Sequence, residues 1–256
     1  MAQLSLNGRL FDVDLIAFDK DGTLIDFHHL WGRKAQLWVE WLQQRVDGPR
    51  SLGAALYRSL GYDPESGRVV SDGPLAVASM AKLYTIAAAV LYQQGVGWHE
   101  AEEIVAESVA ASIGALPVPD LIRPIGDVAG TIERLAAAGV RLAVITSDDR
   151  AATQATLQTL GIAGQIDILV CGDDPIANKP APEALWHAGR QLHVDPARMM
   201  MVGDTASDMM CGRNAAVGCC AGVLGGAGGE IALSACADVT VASIEEIRTG
   251  RWEIGD

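Results

Sequence analysis

Two aspartates spaced by one residue, Asp19 and Asp21, stand directly after a four-residue apolar run, Leu15 to Phe18, and before Gly22 and Thr23. If the extended backbone persists past the run, both carboxylates point the same way off its end. Carboxylates that close repel each other, so either one holds a proton or a cation sits between them. A hard divalent ion with oxygen ligands, such as Mg2+, suits the pair. The competing reading is an ordinary Asp-Gly turn with solvated acids. A second apolar run, Met199 to Val202, ends in Gly203-Asp204, with Asp208 one helical turn further on. Asp208 is open to three roles: metal ligand, orienter of a ligand, or an acid favoured at a helix start by the dipole. Lys179 precedes a helix opened by Pro180 and Pro182. It is either a solvated loop charge or a fixed cation that neutralises a carboxylate nucleophile and an incoming phosphate. Thr146 and Ser147 follow a third apolar run, and either hydroxyl suits a phosphate oxygen or a helix cap.

These residues need a frame that brings the ends of separate strands together. Leu15 to Phe18 reads as a buried strand in the middle of a parallel sheet, and ligands bind at the carboxyl edge of such sheets. Upstream, Asn7-Gly8 suits the turn of a short hairpin. Residues 27–123 carry no strand pattern. Helices are expected over 30–46, 51–60, from Pro74 to about 94, and over 98–113, with 61–73 as a loop. Trp31, Trp38 and Trp41 fall at helical spacing and read as core of this segment rather than as a substrate stack. His28 and His29, where the chain enters it, suit either contact with a leaving group or packing at the helix start.

From residue 127 the pattern alternates strictly. Helices are expected over 128–138, 150–160, 182–192 and 207–215, interleaved with strands at 141–145, 167–171, 199–202 and 217–222. A Gly-rich loop, a last strand near Val239 and a helix over 244–249 complete the chain. Strands alternating with helices of this length imply right-handed crossovers and a parallel sheet. The expected fold is α/β: a discontinuous core of residues 1–26 and 124–256 with an all-helical module, 27–123, inserted after the first strand. Pro117, Pro119 and Pro124-Ile125-Gly126 supply breakers suited to a joint on the return side.

The net charge of −13 over 256 residues argues against a nucleic-acid partner, since no basic stripe exists to neutralise phosphates. Half the residues are apolar, enough for a sizeable core. The longest apolar run, 83–92, is too short to span a bilayer. The first residues lack a basic region followed by an apolar core, so no secretory signal is expected. Five cysteines without a CxxC fit a reduced, cytoplasmic setting better than a disulfide framework.

In order, the chain carries Asp-x-Asp-Gly-Thr after a strand, Thr after a strand, Lys before a helix, and Gly-Asp-x-x-x-Asp after a strand. Together these resemble the haloacid dehalogenase (HAD) superfamily of phosphohydrolases, over about 14–26 and 123–247. The spacing from Asp19 to Thr146 resembles the phosphoglycolate-phosphatase-like branch with a helical C1-type cap. The resemblance implies a Rossmann-like HAD core and a Mg2+-dependent phosphatase acting on a small phosphorylated metabolite. Asp19 would be the nucleophile that forms an aspartyl-phosphate, and Asp21 the general acid/base. Thr146 and Lys179 would hold the phosphate. Asp19, the Asp21 backbone carbonyl, Asp204 and Asp208 would serve the metal. Gly22, Thr23, Ser147 and His28 are candidate substrate contacts. Lys20 departs from the apolar residue that many relatives carry. Strand alternation points it away from Asp19 and Asp21, so little catalytic effect is expected of it, with a substrate contact left open. The same motifs permit a phosphomutase. From another class, a phospho-acceptor regulatory module would need only Asp19, and neither Asp21 nor the helical insert. A dehalogenase would have no use for an acid at residue 21.

Overall fold

The structure, a computed structural model, describes residues 2–112 and 118–250. The chain divides into two compact units, Met1–Asp26 with Ile122–Asp256, and Phe27–Leu121.

The first unit is built on a six-stranded sheet. Its order is Val239–Val241, Cys219–Val223, Met199–Gly203, Leu15–Phe18, Arg141–Ile145 and Ile168–Val170. Every pairing in it is parallel. Leu15–Phe18 lies in the interior and all four of its residues are fully buried, which is why it reads as a continuous apolar run rather than an alternating one. Phe18 stands beside Val144 on one flank and Val202 on the other. That register makes the segments starting at Asp19, Thr146 and Asp204 leave the sheet at one edge. On one face Leu15, Ala17, Ala143 and Met201 pack with Leu185 and Ala188 of the helix Glu183–Leu192 and with Cys211 of the helix Ala206–Ala215.

The N-terminal hairpin forms as its Asn-Gly pair requires: Ala2–Leu6 pairs antiparallel with Arg9–Val13. Asn7 and Gly8 take φ of 47° and 75°, the left-handed values that a tight hairpin turn demands. Two C-terminal expectations are corrected. The helix expected over 244–249 is a single 3-10 turn, Ile244–Glu246, after which Arg248–Thr249 joins the hairpin as a third strand. A helix absent from the sequence reading, Glu230–Cys236, follows the Gly-rich loop; the glycines ahead of it hide its start.

The second unit contains the helices Phe27–Arg45, Arg50–Leu60, Met80–Gln93 and Trp98–Ser112. The long helix expected from Pro74 is broken. Pro74–Val77 forms one turn, and Ala78 and Ser79 are extended before the chain restarts at Met80. The expected loop 61–73 contains a two-stranded pair, Tyr62–Asp63 with Arg68–Val69, too short to leave any periodicity in the sequence. Ile113 and Pro117 lie outside the described residues. Trp38 is core, 1% exposed, whereas Trp31 and Trp41 are half-buried. The indole N–H of Trp38 donates to the Ser108 hydroxyl at 2.5 Å, and that hydroxyl donates to the Val105 carbonyl at 2.6 Å. The bond ties the first and last long helices together through a buried polar pair.

All five cysteines are free, and among the described residues no helix is long and apolar enough to cross a membrane. Ser108→Ala leaves the Trp38 N–H buried without an acceptor. The expected loss is about 1–3 kcal/mol of stability in the helical unit, read by urea denaturation followed through tryptophan fluorescence.

Candidate active site

The backbone after Phe18 continues the sheet for one more residue, with the Asp19 N–H donating to the Val202 carbonyl at 2.8 Å. Then it bends. The Lys20 carbonyl accepts from Leu24 N–H at 2.9 Å and from Ile25 N–H at 3.2 Å, and Gly22 turns the chain at φ +91°. A Cβ on Gly22 would fall well inside contact distance of the Asp204 carboxylate, so this position needs glycine for space as well as for conformation. Thr23 is fully buried, and its hydroxyl has no hydrogen-bond partner among the described residues.

The bend overturns the expectation for Lys20. Alternation of side chains holds only while the chain stays extended, and here it has begun to fold back. Lys20 is 1% exposed, and its ammonium is paired with the Asp21 carboxylate and, at 2.9 Å, with Oδ2 of Asp148. Burial opposes its charge, but the two carboxylates outweigh burial and hold its pKa above the usual lysine value.

Lys179 is not a solvated loop charge. Only 7% of its side chain is exposed, and its Nζ donates to Oδ1 of Asp19 and, at 2.6 Å, to Oδ1 of Asp208. Burial again opposes the ammonium, and the two carboxylates again outweigh it. Asp208 also closes the capping box of the helix Ala206–Ala215: its Oδ2 accepts from the Thr205 N–H at 3.0 Å and from the Thr205 hydroxyl at 2.5 Å. One acid therefore serves both the helix start and Lys179.

Asp204 is wholly buried. Its Oδ2 accepts the Ala227 N–H at 2.6 Å, and its Oδ1 has no partner among the described residues. Besides Gly22, both Gly226 and Gly228 press against it so closely that a Cβ on either would collide with Asp204. The Gly-rich loop, which sequence reasoning left without a role, is the wall of this cradle. The signal was there in the glycine spacing, but nothing in the sequence says which acid the loop wraps.

Thr146 is 5% exposed and its hydroxyl accepts the Asp148 N–H at 3.1 Å. Ser147 is exposed and is not the cap of the following helix; Asp149 holds that place, accepting the Ala152 N–H at 2.8 Å. His28 lies in the helical unit, 7% exposed, where its Nδ1 accepts the Val69 N–H at 3.1 Å and its Nε2 lies 2.8 Å from the Arg68 guanidinium. Its ring packs the short strand pair against the first helix. His29 Nε2 is 3.4 Å from the Asp120 carbonyl.

Asp19, Asp204 and Asp208 each offer a carboxylate oxygen, all within 4.8 Å of one another. This set fits a hard cation: the donors are oxygens, and one of them is an orphan in a buried site. Charge alone makes the same point. Burial pushes the Asp19 carboxyl up to about 7, with Lys179 pulling it down and Asp208 and Asp21 pushing it further up. Burial, then Asp19 and Asp208, raise Asp204 well above the carboxylate range. The Asp21 carboxylate, held by Lys20, is not part of the three-acid group.

This chain belongs to the haloacid dehalogenase-like hydrolases, the family whose sequence profile matches residues 13–216. A phosphoglycolate phosphatase of Cupriavidus necator is 39% identical over 111 residues, which are 43% of this chain and 47% of that protein. The chain spans about half the length of the curated relatives it matches. Among solved structures, a phosphoglycolate phosphatase predicted from Haemophilus somnus superposes with a TM-score of 0.63 at 18% identity, over 91% of this chain and 95% of that one. A putative β-phosphoglucomutase from Thermotoga maritima superposes equally well, with a TM-score of 0.63 at 19% identity over 91% of this chain and 96% of that one. At that identity the two structures share the fold.

Gly226→Ala forces Asp204 out of its cradle. Any affinity of the three-acid site for a hard divalent cation, probed with Mg2+ by titration calorimetry, is expected to fall about ten- to a hundredfold, the range typical of lost support for a ligand.

Proposed function

We propose that this chain is a Mg2+-dependent phosphatase that hydrolyses a small phosphate monoester, phosphoglycolate-like in size and charge, through an aspartyl-phosphate on Asp19. The observation that carries the reading is the setting of Asp19: a buried carboxylate at a strand end, paired with Lys179 and grouped with Asp204, whose Oδ1 has no partner among the described residues. The 39% identical phosphoglycolate phosphatase supports the substrate class.

Asp19 and Asp204 would hold the ion, with the Asp21 carbonyl, and Asp208 would fix Lys179 beside them. Mg2+, when bound, supplies charge that screens Asp19 from an anionic phosphate and helps to orient it. Asp19 then attacks phosphorus, the P–O bond to the alcohol breaks, and Asp21 gives the departing oxygen its proton. In the second step Asp21 takes a proton from water, water oxygen bonds to phosphorus, and Asp19 leaves as carboxylate with release of inorganic phosphate. Lys179, Thr146 and the backbone amides after Asp19 would balance charge on the equatorial oxygens. We assign the unit Phe27–Leu121 the part of an inserted cap that selects the leaving group; hydrogen exchange confined to the other unit on adding a phosphate analogue would refute that assignment.

Asp19→Asn is expected to lower turnover by a factor on the order of 10^4 or more, since an amide is a poor nucleophile. Asp21→Asn should lose about 10^2–10^4 in steady turnover. With an aryl phosphate, whose leaving group needs no proton, it should release about one equivalent of phenol and stall as phosphoenzyme. Rapid-quench kinetics with intact mass on both variants makes the test. A phosphoryl adduct on Asp19→Asn, or wild-type turnover by Asp21→Asn, would reverse the assignment of the two carboxylates. Transfer of the phosphoryl group to a second hydroxyl of a sugar phosphate, in place of water, would make the enzyme a mutase.

A further inference from the structure

Lys20 is buried, charged and used by none of the chemistry above. It stands between the proposed nucleophile and the proposed acid/base, yet its ammonium meets neither Asp19 nor solvent. It joins Asp21, in the loop after the first strand, to Asp148, in the loop after the strand Arg141–Ile145. Asp148 in turn donates its backbone N–H to the Thr146 hydroxyl at 3.1 Å and accepts the Gly172 N–H on its carbonyl at 2.7 Å. The backbone of Lys20 is equally committed, its carbonyl closing the bend over Leu24 and Ile25. A lysine 1% exposed cannot swing out to greet a substrate, so the contact that the sequence left open is excluded by burial.

We propose that Lys20 is a positioning residue: with Asp148 as its anchor, it fixes the Asp21 carboxylate for proton transfer and holds the Asp21 loop in register with the Thr146 loop. An Asp side chain has two free torsions, and among the described residues the carboxylate of Asp21, 16% exposed, accepts no hydrogen bond but the one from Lys20. The ammonium restrains both.

The proposal rests on the phosphatase reading, and the kinetic signature separates the two. Lys20→Met keeps the length and removes the charge. With an aryl phosphate the first step needs no proton, so the phenol burst and kcat/KM should stay within about twofold of wild type. The second step needs Asp21 in place, so kcat should fall about tenfold or more and KM with it. A variant that merely loosens the fold would lower kcat/KM as well. Asp148→Asn, at a side chain 28% exposed, should show the same pattern more weakly. The double variant should be no worse than Lys20→Met alone, since both act through one link. Wild-type kcat in Lys20→Met, equal loss of kcat and kcat/KM, or additive losses in the double variant would overturn the link. Should the wild type turn over no phosphate ester, the phosphatase reading falls. The crystal structure of Lys20→Met then decides this one: a displaced Asp21 carboxylate upholds it and an unmoved one overturns it.

Discussion

Like charges buried together are the constraint on which this molecule turns. Asp19, Asp204 and Asp208 sit within 4.8 Å of one another, all nearly withdrawn from water. Each would prefer to be neutral or solvated, and the cost of leaving a carboxylate dry and unpaired is several kcal/mol. The protein meets that cost with point-by-point compensation. Lys179 spans Asp19 and Asp208, the Ala227 amide takes one oxygen of Asp204, and the capping box takes the other oxygen of Asp208. Oδ1 of Asp204 is fully buried with no partner among the described residues, and it is the place where the set fits a cation.

Holding such a cluster requires a frame that does not yield, and the parallel sheet provides it. Leu15–Phe18 is fully buried between Arg141–Ile145 and Met199–Gly203, so the groups that leave its end cannot drift apart without breaking main-chain pairing. Glycines let the backbone come close enough to matter. Gly22 and Gly226 touch the Asp204 carboxylate from two separate loops, where any side chain would displace it. The same economy of space leaves Lys20 and Lys179, both long side chains, buried and each paired with two acids.

The helical unit follows a different logic. Its stability comes from apolar faces and from buried polar links such as Trp38 to Ser108, rather than from compensated charge. His28 belongs to that logic too, holding a strand pair of two residues a side.

The sequence by itself determined the sheet and the edge at which its acids gather. A four-residue apolar run followed by Asp-x-Asp-Gly-Thr, and another followed by Gly-Asp, are local signals: burial on both faces requires unbroken hydrophobicity, and polar residues mark where the strands stop. Helix and strand alternation after residue 127 was legible for the same reason. Short elements were not. Two-residue strands, a single 3-10 turn and the helix Glu230–Cys236 behind its glycines carry too few residues to show a period, and the break at Ala78 needs the packing of the whole unit. Only the tertiary structure decided the partners of charged side chains. Lys20 was expected to point away from Asp21 because alternation assumes an extended chain. The turn at Gly22 cancels that assumption, and Asp148 arrives from a strand more than a hundred residues later. Pattern in a sequence reports on neighbours along the chain; a buried ion pair is a contract between residues that only folding brings together.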